Sequence, residues 1–320
     1  MRIIHFSDIH VWLKTPGMDL YPRRILGLAN LLLVRARSFP RDIQQRVCAR
    51  IAADQADSVL FSGDLTCTSQ IGEFQYGRRM MEPLFEKYGK SLIAIPGNHD
   101  VYTPYAQRKQ HFEKWFLQYH QPTVFCRTLN DELSVIGIDC SFPQKLYARG
   151  KITDRQLDQV RKLLDQEEQQ GRSVMILCHY PIAFPPSKEL ELKCSHSHGL
   201  IGDYKLRDLI NRKPVIAYLN GHLHVRWAMR MGQVININSG AAGKLGADLK
   251  NAPGYVRFDV EDSEVSNLTC VTLKAPDYRE WQETPLEIET RYTMTNGSLT
   301  TRSRLKAMAF RKFAPDSSRT

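Results

Sequence analysis

Five short stretches combine metal-binding or acid–base side chains at close spacing: Asp8-Ile9-His10, Gly63-Asp64, Gly97-Asn98-His99-Asp100, the lone His179, and Gly221-His222-Leu223-His224. Leaving His99 and Asp100 aside, they hold two Asp, one Asn and four His. A mixed oxygen and imidazole set of this kind suits a borderline divalent ion such as Mn²⁺, Fe²⁺ or Zn²⁺ better than soft Cu(I) or hard Ca²⁺. In an extended segment, side chains two residues apart point the same way, so Asp-x-His and His-x-His can each reach one ion. The glycines before Asp64, Asn98 and His222 are expected to let the backbone turn sharply beside the ions.

Each stretch ends an apolar or β-branched run: "RIIHFSDIH", "DSVLFSGDL", "KSLIAIPGNHD", "RSVMILCHYP" and "PVIAYLNGHLH". "LSVIGIDC" and "QVININSG" have the same strand character. Helical patterns lie between several of them. Residues 42–55 space Ile43, Val47 and Ile51 four apart, and residues 153–170 follow a Thr153 cap and stop at Gly171. Strands alternating with helices predict an α/β arrangement with strands buried on both faces. Ligand sites in open sheets gather at the carboxyl ends of strands, so these loops can meet although they are far apart in sequence.

These motifs, in this order, resemble the calcineurin-like metallophosphoesterases, and every signature position of that superfamily is filled over roughly residues 1–260. The resemblance implies a four-layer αββα sandwich of two mixed β-sheets carrying two divalent metal ions, manganese first, with iron or zinc as alternatives. It implies that Asp8, His10 and His224 hold one metal, that Asn98, His179 and His222 hold the other, and that Asp64 bridges them. His99 would then be catalytic, steadying the transition state or protonating the leaving oxygen, with Asp100 orienting its ring. Paired metals clamp phosphoryl oxygens and activate water for in-line displacement, so the class implied is a hydrolase of phosphodiesters or pyrophosphates. Some members of the fold have lost ligands and serve as scaffolds; with the ligand positions intact, that reading is remote here.

Charge narrows the partners. The chain carries a formal +10, of which residues 23–50 supply +6 and residues 297–320 supply +5, leaving a near-neutral body. Two basic segments on a neutral body suggest local anionic contacts and no general nucleic-acid binding. Residues 25–34 are apolar apart from Gly27 and Asn30 and are flanked by Arg23, Arg24, Arg35, Arg37 and Arg41. No run approaches the roughly 18–20 residues of a membrane span. The segment reads instead as an interfacial helix with its guanidinium groups on lipid phosphates. A helix packed on the domain or at a dimer contact is the alternative. Seven unpaired-looking cysteines and the absence of a cleavable leader point to a cytoplasmic protein, peripheral on the inner face of the membrane.

The expected organisation is a catalytic domain over 1–275, with an insertion at 11–42 and a long substrate-facing loop at 181–203, followed by a C-terminal extension over 276–320. His196 and His198 in the long loop, with the arginines of 23–41, are the candidate substrate or membrane contacts. The Arg-Arg-x-Leu-Gly-x-x-Asn-x-Leu pattern also resembles the insertion of the chlamydial-type UDP-2,3-diacylglucosamine pyrophosphatases of lipid A synthesis. That resemblance implies a lipid-linked nucleotide as substrate, cleaved to UMP and 2,3-diacylglucosamine 1-phosphate. A 3′,5′-cyclic-nucleotide or general phosphodiesterase is the alternative.

Overall fold

The computed structural model describes residues 1–13, 36–144 and 147–295, less the side chains at 36, 192, 193, 195 and 196. Two mixed sheets dominate it. The first is 6-stranded and runs Trp281–Pro285, Glu264–Leu273, Gly254–Glu261, Arg2–Phe6, Ser58–Phe61, Leu92–Ala94 from edge to edge. The second is 7-stranded, in the order Ile288–Glu289, Arg226–Met231, Val234–Ser239, Val215–Asn220, Ser173–Cys178, Leu133–Ile138, Val124–Thr128. At the centre of each sheet the pairings are parallel, Arg2–Phe6 with Ser58–Phe61 and Ser173–Cys178 with Val215–Asn220. Antiparallel pairings join Arg2–Phe6 through Gly254–Glu261 and Glu264–Leu273 to Trp281–Pro285, and Val124–Thr128 to Leu133–Ile138, whereas the edge strands Leu92–Ala94 and Ile288–Glu289 pair parallel.

Alternation along the strands divides their side chains between two cores. In Ser173–Cys178, Met175 and Leu177 enter the core between the sheets, whereas Val174, Ile176 and Cys178 face the outer core. Likewise Leu60 joins the inter-sheet core, and Val59 and Phe61 turn outward. A strand covered on both faces needs apolar residues at every position, which is why these runs show no polar alternation. Helices close both outsides. Arg41–Ala53 buries Ile43, Gln44, Val47, Cys48 and Ile51 against the first sheet. Asp154–Gln169, opened by a Thr153–Gln156 capping box, buries Leu157, Val160 and Leu164 against the second. Helix, sheet, sheet and helix stack as four layers.

Two expected boundaries shift. The 181–203 stretch is not a plain loop: it contains strand Ala183–Phe184, helix Lys188–Lys193, a π-turn Cys194–His198 and strand Leu200–Ile201. Ser187 caps that helix, and buried Leu190 anchors it in the outer core. The division at residue 275 does not separate two bodies in the described part, because 281–285 extends the first sheet, 288–289 extends the second, and 293–294 pairs with 183–184. The apolar–basic stretch 14–35 and the tail 296–320, with Arg23, Arg24 and Arg35, lie outside the described residues. Among the described residues no helix is long and apolar enough to cross a membrane.

Candidate dinuclear metal site

Parallel strands place their carboxyl ends on one edge, and the loops leaving them interlock. Asp8 N–H donates to the Gly63 carbonyl at 2.9 Å and His10 N–H to the Asp64 carbonyl at 3.0 Å. His222 N–H donates to Asp8 Oδ2 at 2.9 Å, and His99 N–H to Asp64 Oδ1 at 2.8 Å. These contacts force unusual backbone. Asp8, His10, Asp64, His222 and His224 all have positive φ, between 54° and 74°. Left-handed conformations at non-glycine residues are costly and cluster where surrounding structure and function demand them.

The glycines act by two routes. Gly63 takes φ +100°, a turn that only glycine makes easily. Gly97, which is not left-handed, is needed for close approach instead: a Cβ there would stand 2.5 Å from the Asp64 nitrogen. Gly221 likewise lies against Ser7 and Asp8.

The side chains form two donor sets with Asp64 between them. The structure groups Asp8 with His10 and His224, Asp64 with His179 and His222, and His10 and Asp64 with His99. Asp8 Oδ1 stands 3.2 Å from His224 Nε2 and 3.5 Å from His10 Nε2. His179 Nε2 is 3.3 Å from Asn98 Oδ1 and 3.1 Å from His222 Nδ1. Asp64 Oδ2 faces both sides, 3.6 Å from His10 Nε2 and 3.4 Å from His179 Nε2.

The chemistry of this cluster fits a pair of cations. Asp8 Oδ1 and His222 Nε2 are buried without a hydrogen-bond partner among the described residues, and orphaned polar atoms at such depth call for an explanation. His10 and His224 bring two Nε2 atoms within 3.0 Å, and neutral imidazoles offer lone pairs there. Burial works against the Asp8 charge, yet the imidazoles of His10 and His224 hold its carboxyl well below the usual range. Burial also works to lower His179, but the Asp64 carboxylate pulls it up to about 10. Burial, with His179 nearby, pushes His222 well below its ordinary value, and burial brings His224 down to about 4. The depressed Asp8 carboxyl thus draws positive charge into a buried site where the imidazoles of His222 and His224 are held below their ordinary values. A divalent ion in each donor set would supply that charge.

His99 sits beside this cluster, its ring 4.9 Å from His10 and stacked on Tyr102 at 5.3 Å. Its Nδ1 meets the Cys67 carbonyl at 2.7 Å. Here one expectation is corrected: Asp100 does not orient the His99 ring. Asp100 accepts N–H donors from Leu65, Thr66 and Gly97 at 2.9–3.1 Å, together with the Thr66 hydroxyl at 3.0 Å. It pins the His99 loop to the Asp64 loop. Burial and the Asp64 charge push its carboxyl up to about 7 against those donors.

The substrate candidates scatter. His198 reaches the second donor set, its ring 5.1 Å from that of His222. Arg37 is exposed on the turn Ala36–Ser38, and the His196 side chain lies outside the described atoms. Arg41 is not offered to a membrane: its guanidinium stacks on Trp12 at 4.7 Å and Tyr76 at 5.3 Å and donates to the Trp12 carbonyl at 2.9 Å. Two contributors escape sequence reasoning. Phe39 packs against His10 with ring centroids 4.7 Å apart and planes at 68°, and nothing in its neighbourhood in sequence marks it. Asn238 donates to Asn220 Oδ1 at 2.7 Å and to the Gly221 carbonyl at 2.6 Å, setting the turn that bears His222. The alternating Asn236 and Asn238 in "VININS" were the available signal for that network.

Aspartate, asparagine and histidine converge here from strand ends in the manner of a metal-dependent phosphoesterase. The calcineurin-like phosphoesterase family model matches residues 1–226, and the chain belongs to that family. It is 29% identical over 222 residues to a Rhodococcus erythropolis protein named "Probable cyclic nucleotide phosphodiesterase". That match covers 69% of this chain and 64% of the relative, so it spans slightly under two thirds of the relative's length. Among solved structures, a dimetal phosphatase from Danio rerio superposes with TM-score 0.53 at 10% identity, covering 89% of this chain and 99% of that one. PhoD superposes with TM-score 0.50 at 10% identity, over 98% of this chain and 78% of that one. At such identity these two show a shared fold alone.

Proposed function

We propose that this protein hydrolyses a phosphodiester, with two divalent cations held by Asp8, His10 and His224 on one side and Asn98, His179 and His222 on the other. The observation that carries this reading is the single Asp64 oxygen facing imidazoles of both donor sets at 3.4–3.6 Å. Bound ions supply Lewis-acid charge for the phosphoryl oxygens and ease ionisation of the attacking water. His99 Nδ1 donates to the Cys67 carbonyl, since a carbonyl can only accept, and this makes Nε2 the nitrogen for acid–base work. His99 gives its proton to the leaving oxygen, and Asp100, through Gly97, Leu65 and Thr66, keeps that loop in register with Asp64.

The substrate we place first is a nucleotide phosphodiester of the 3′,5′-cyclic kind, supported by the similarity to the Rhodococcus protein. A lipid-linked nucleotide, UDP-2,3-diacylglucosamine, processed at an anionic membrane surface, stands second. It rests on the apolar–basic character of residues 23–41. Manganese is the metal to try first.

The test is one panel: purified protein loaded with Mn²⁺, Fe²⁺ or Zn²⁺ against bis(p-nitrophenyl) phosphate, 3′,5′-cyclic AMP, and UDP-2,3-diacylglucosamine in detergent. The reading expects cleavage of the activated diester and of the cyclic nucleotide, with kcat/KM at least about tenfold above that for the lipid, a gap of about 1.4 kcal/mol. Turnover of the lipid without the cyclic nucleotide reverses the substrate order. No hydrolysis with any of the metals overturns the proposal.

A further inference from the structure

The imidazoles that face the shared carboxylate are held in different ways. His179 has its Nδ1 on the Ser62 carbonyl at 2.8 Å. His10 Nδ1 is buried with no hydrogen-bond partner among the described residues. A ligating histidine ordinarily donates its second N–H to a carbonyl, carboxylate or water, which fixes both tautomer and ring rotation. Beside His10 stands Phe39 instead, with ring centroids 4.7 Å apart and planes at 68°. The same ring lies 5.7 Å from His224 at 77°.

Phe39 is firmly seated. It is 3% exposed. Its carbonyl accepts from Trp12 Nε1 at 2.8 Å, and the preceding Ser38 carbonyl accepts from Leu245 N–H at 2.8 Å. Arg41, two residues on, is clamped against Trp12. These contacts hold an aromatic ring against His10, whose Nδ1 has no hydrogen-bond partner among the described residues.

We propose that Phe39 is a positioning residue for the first metal: its ring replaces the acceptor that His10 lacks and sets the rotation of both His10 and His224. A ring N–H directed at an aromatic face is a recognised weak hydrogen bond, and in this proposal the Phe39 ring serves the buried Nδ1 in that way. Phe39 acts through the two imidazoles it packs against. The inference rests on the metal reading above.

The test uses the full chain with two substitutions. Phe39→Leu keeps apolar bulk and removes the π face; Phe39→Tyr keeps the face. Each protein, first freed of metal, is titrated with Co²⁺ by visible absorption and by competition with a chelator, and the metal-free melting temperature is recorded alongside. The expected result is that F39L weakens one of two cobalt sites by about 10–100-fold and changes its absorption envelope, while the other site is untouched. F39Y stays within about threefold of the parent at both sites. Parental affinity and spectrum in F39L would overturn the proposal. So would equal weakening of both sites, which reports general loss of packing, or an equal loss in F39Y, which reports shape alone. A parent protein that takes up no cobalt would fail the metal reading itself, a result distinct from two sites that ignore Phe39.

Discussion

Replacing Gly97 by alanine tests the site through its backbone and leaves every donor atom in the sequence. The new Cβ would stand 2.5 Å from the Asp64 nitrogen and 2.7 Å from its carboxyl carbon, whereas real Cβ atoms essentially never come within 3.0 Å. Both neighbours belong to a buried, hydrogen-bonded loop, so no flexible tip can move aside. Restoring an ordinary contact of about 3.5 Å parts the Asn98 loop from the Asp64 loop by about 1 Å. A misplacement of that size costs about 100-fold in turnover. The overpacking also costs about 1–3 kcal/mol of stability. Gly171→Ala is the control. It sits at φ +69° after helix Asp154–Gln169 with nothing within 4 Å of the added carbon. It should lose about 1–2 kcal/mol through left-handed strain and nothing in turnover. The assay is hydrolysis of bis(p-nitrophenyl) phosphate with excess Mn²⁺, alongside metal content per chain and thermal melting. The reasoning fails if G97A, folded and melting like G171A, turns over within about threefold of the parent, under 1 kcal/mol in barrier.

Three further outcomes can be checked together. His99→Asn should keep its metal content by elemental analysis and lose at least about 100-fold in turnover on a poor leaving group; near-normal turnover would remove His99 from the reaction. Stripping divalent metal with a chelator should abolish hydrolysis and lower the melting temperature, and metal at about 1,000-fold over its dissociation constant should restore about 4 kcal/mol; calorimetry showing no change would argue against a bound cation. The last concerns pH and stability. Burial works to raise the Asp54 carboxyl, but the Tyr255 hydroxyl at 2.6 Å and the Arg257 guanidinium at 2.8 Å hold it below its usual range. A depressed carboxyl stabilises fully above its unfolded pKa of about 3.9, and that share fades as pH falls through the folded value. Asp54→Asn should therefore cost about 2 kcal/mol at neutral pH and progressively less below about pH 4, read from urea melts across pH; a penalty that does not shrink in acid would refute the ionic account.

Much of the site was legible because its donors sit within a few residues of strand ends. Asp8 and His10, or His222 and His224, are neighbours in sequence before they are neighbours in space. Helices Arg41–Ala53 and Asp154–Gln169 were legible for the same local reason, a repeating apolar face and a Thr153 cap. What stayed hidden depends on partners far along the chain. Phe39 meets His10 only through the fold, and the oxygens of Asp100 are claimed by the Leu65–Thr66 backbone, 34–35 residues away. Arg41 looked like part of a basic cluster, and its ring partners Trp12 and Tyr76 lie 29 and 35 positions from it, outside any local window. Short strands such as Ile288–Glu289 carry no periodicity of their own; they exist because a sheet edge is there to receive them.

That late stretch matters for how the molecule is assembled. Residues 281–294 cross from the edge of one sheet to the edge of the other and then pair with Ala183–Phe184, working as a strap over both halves. All of the proposed metal donors are synthesised by residue 224, about seventy residues before the strap is complete at residue 294. Two strands the site depends on come later still: Val234–Ser239, whose Asn238 sets the His222 turn, and Gly254–Glu261, which pairs with Arg2–Phe6. The donor loops and the strap are thus completed in the same late interval, while strand edges still lie open to misassembly.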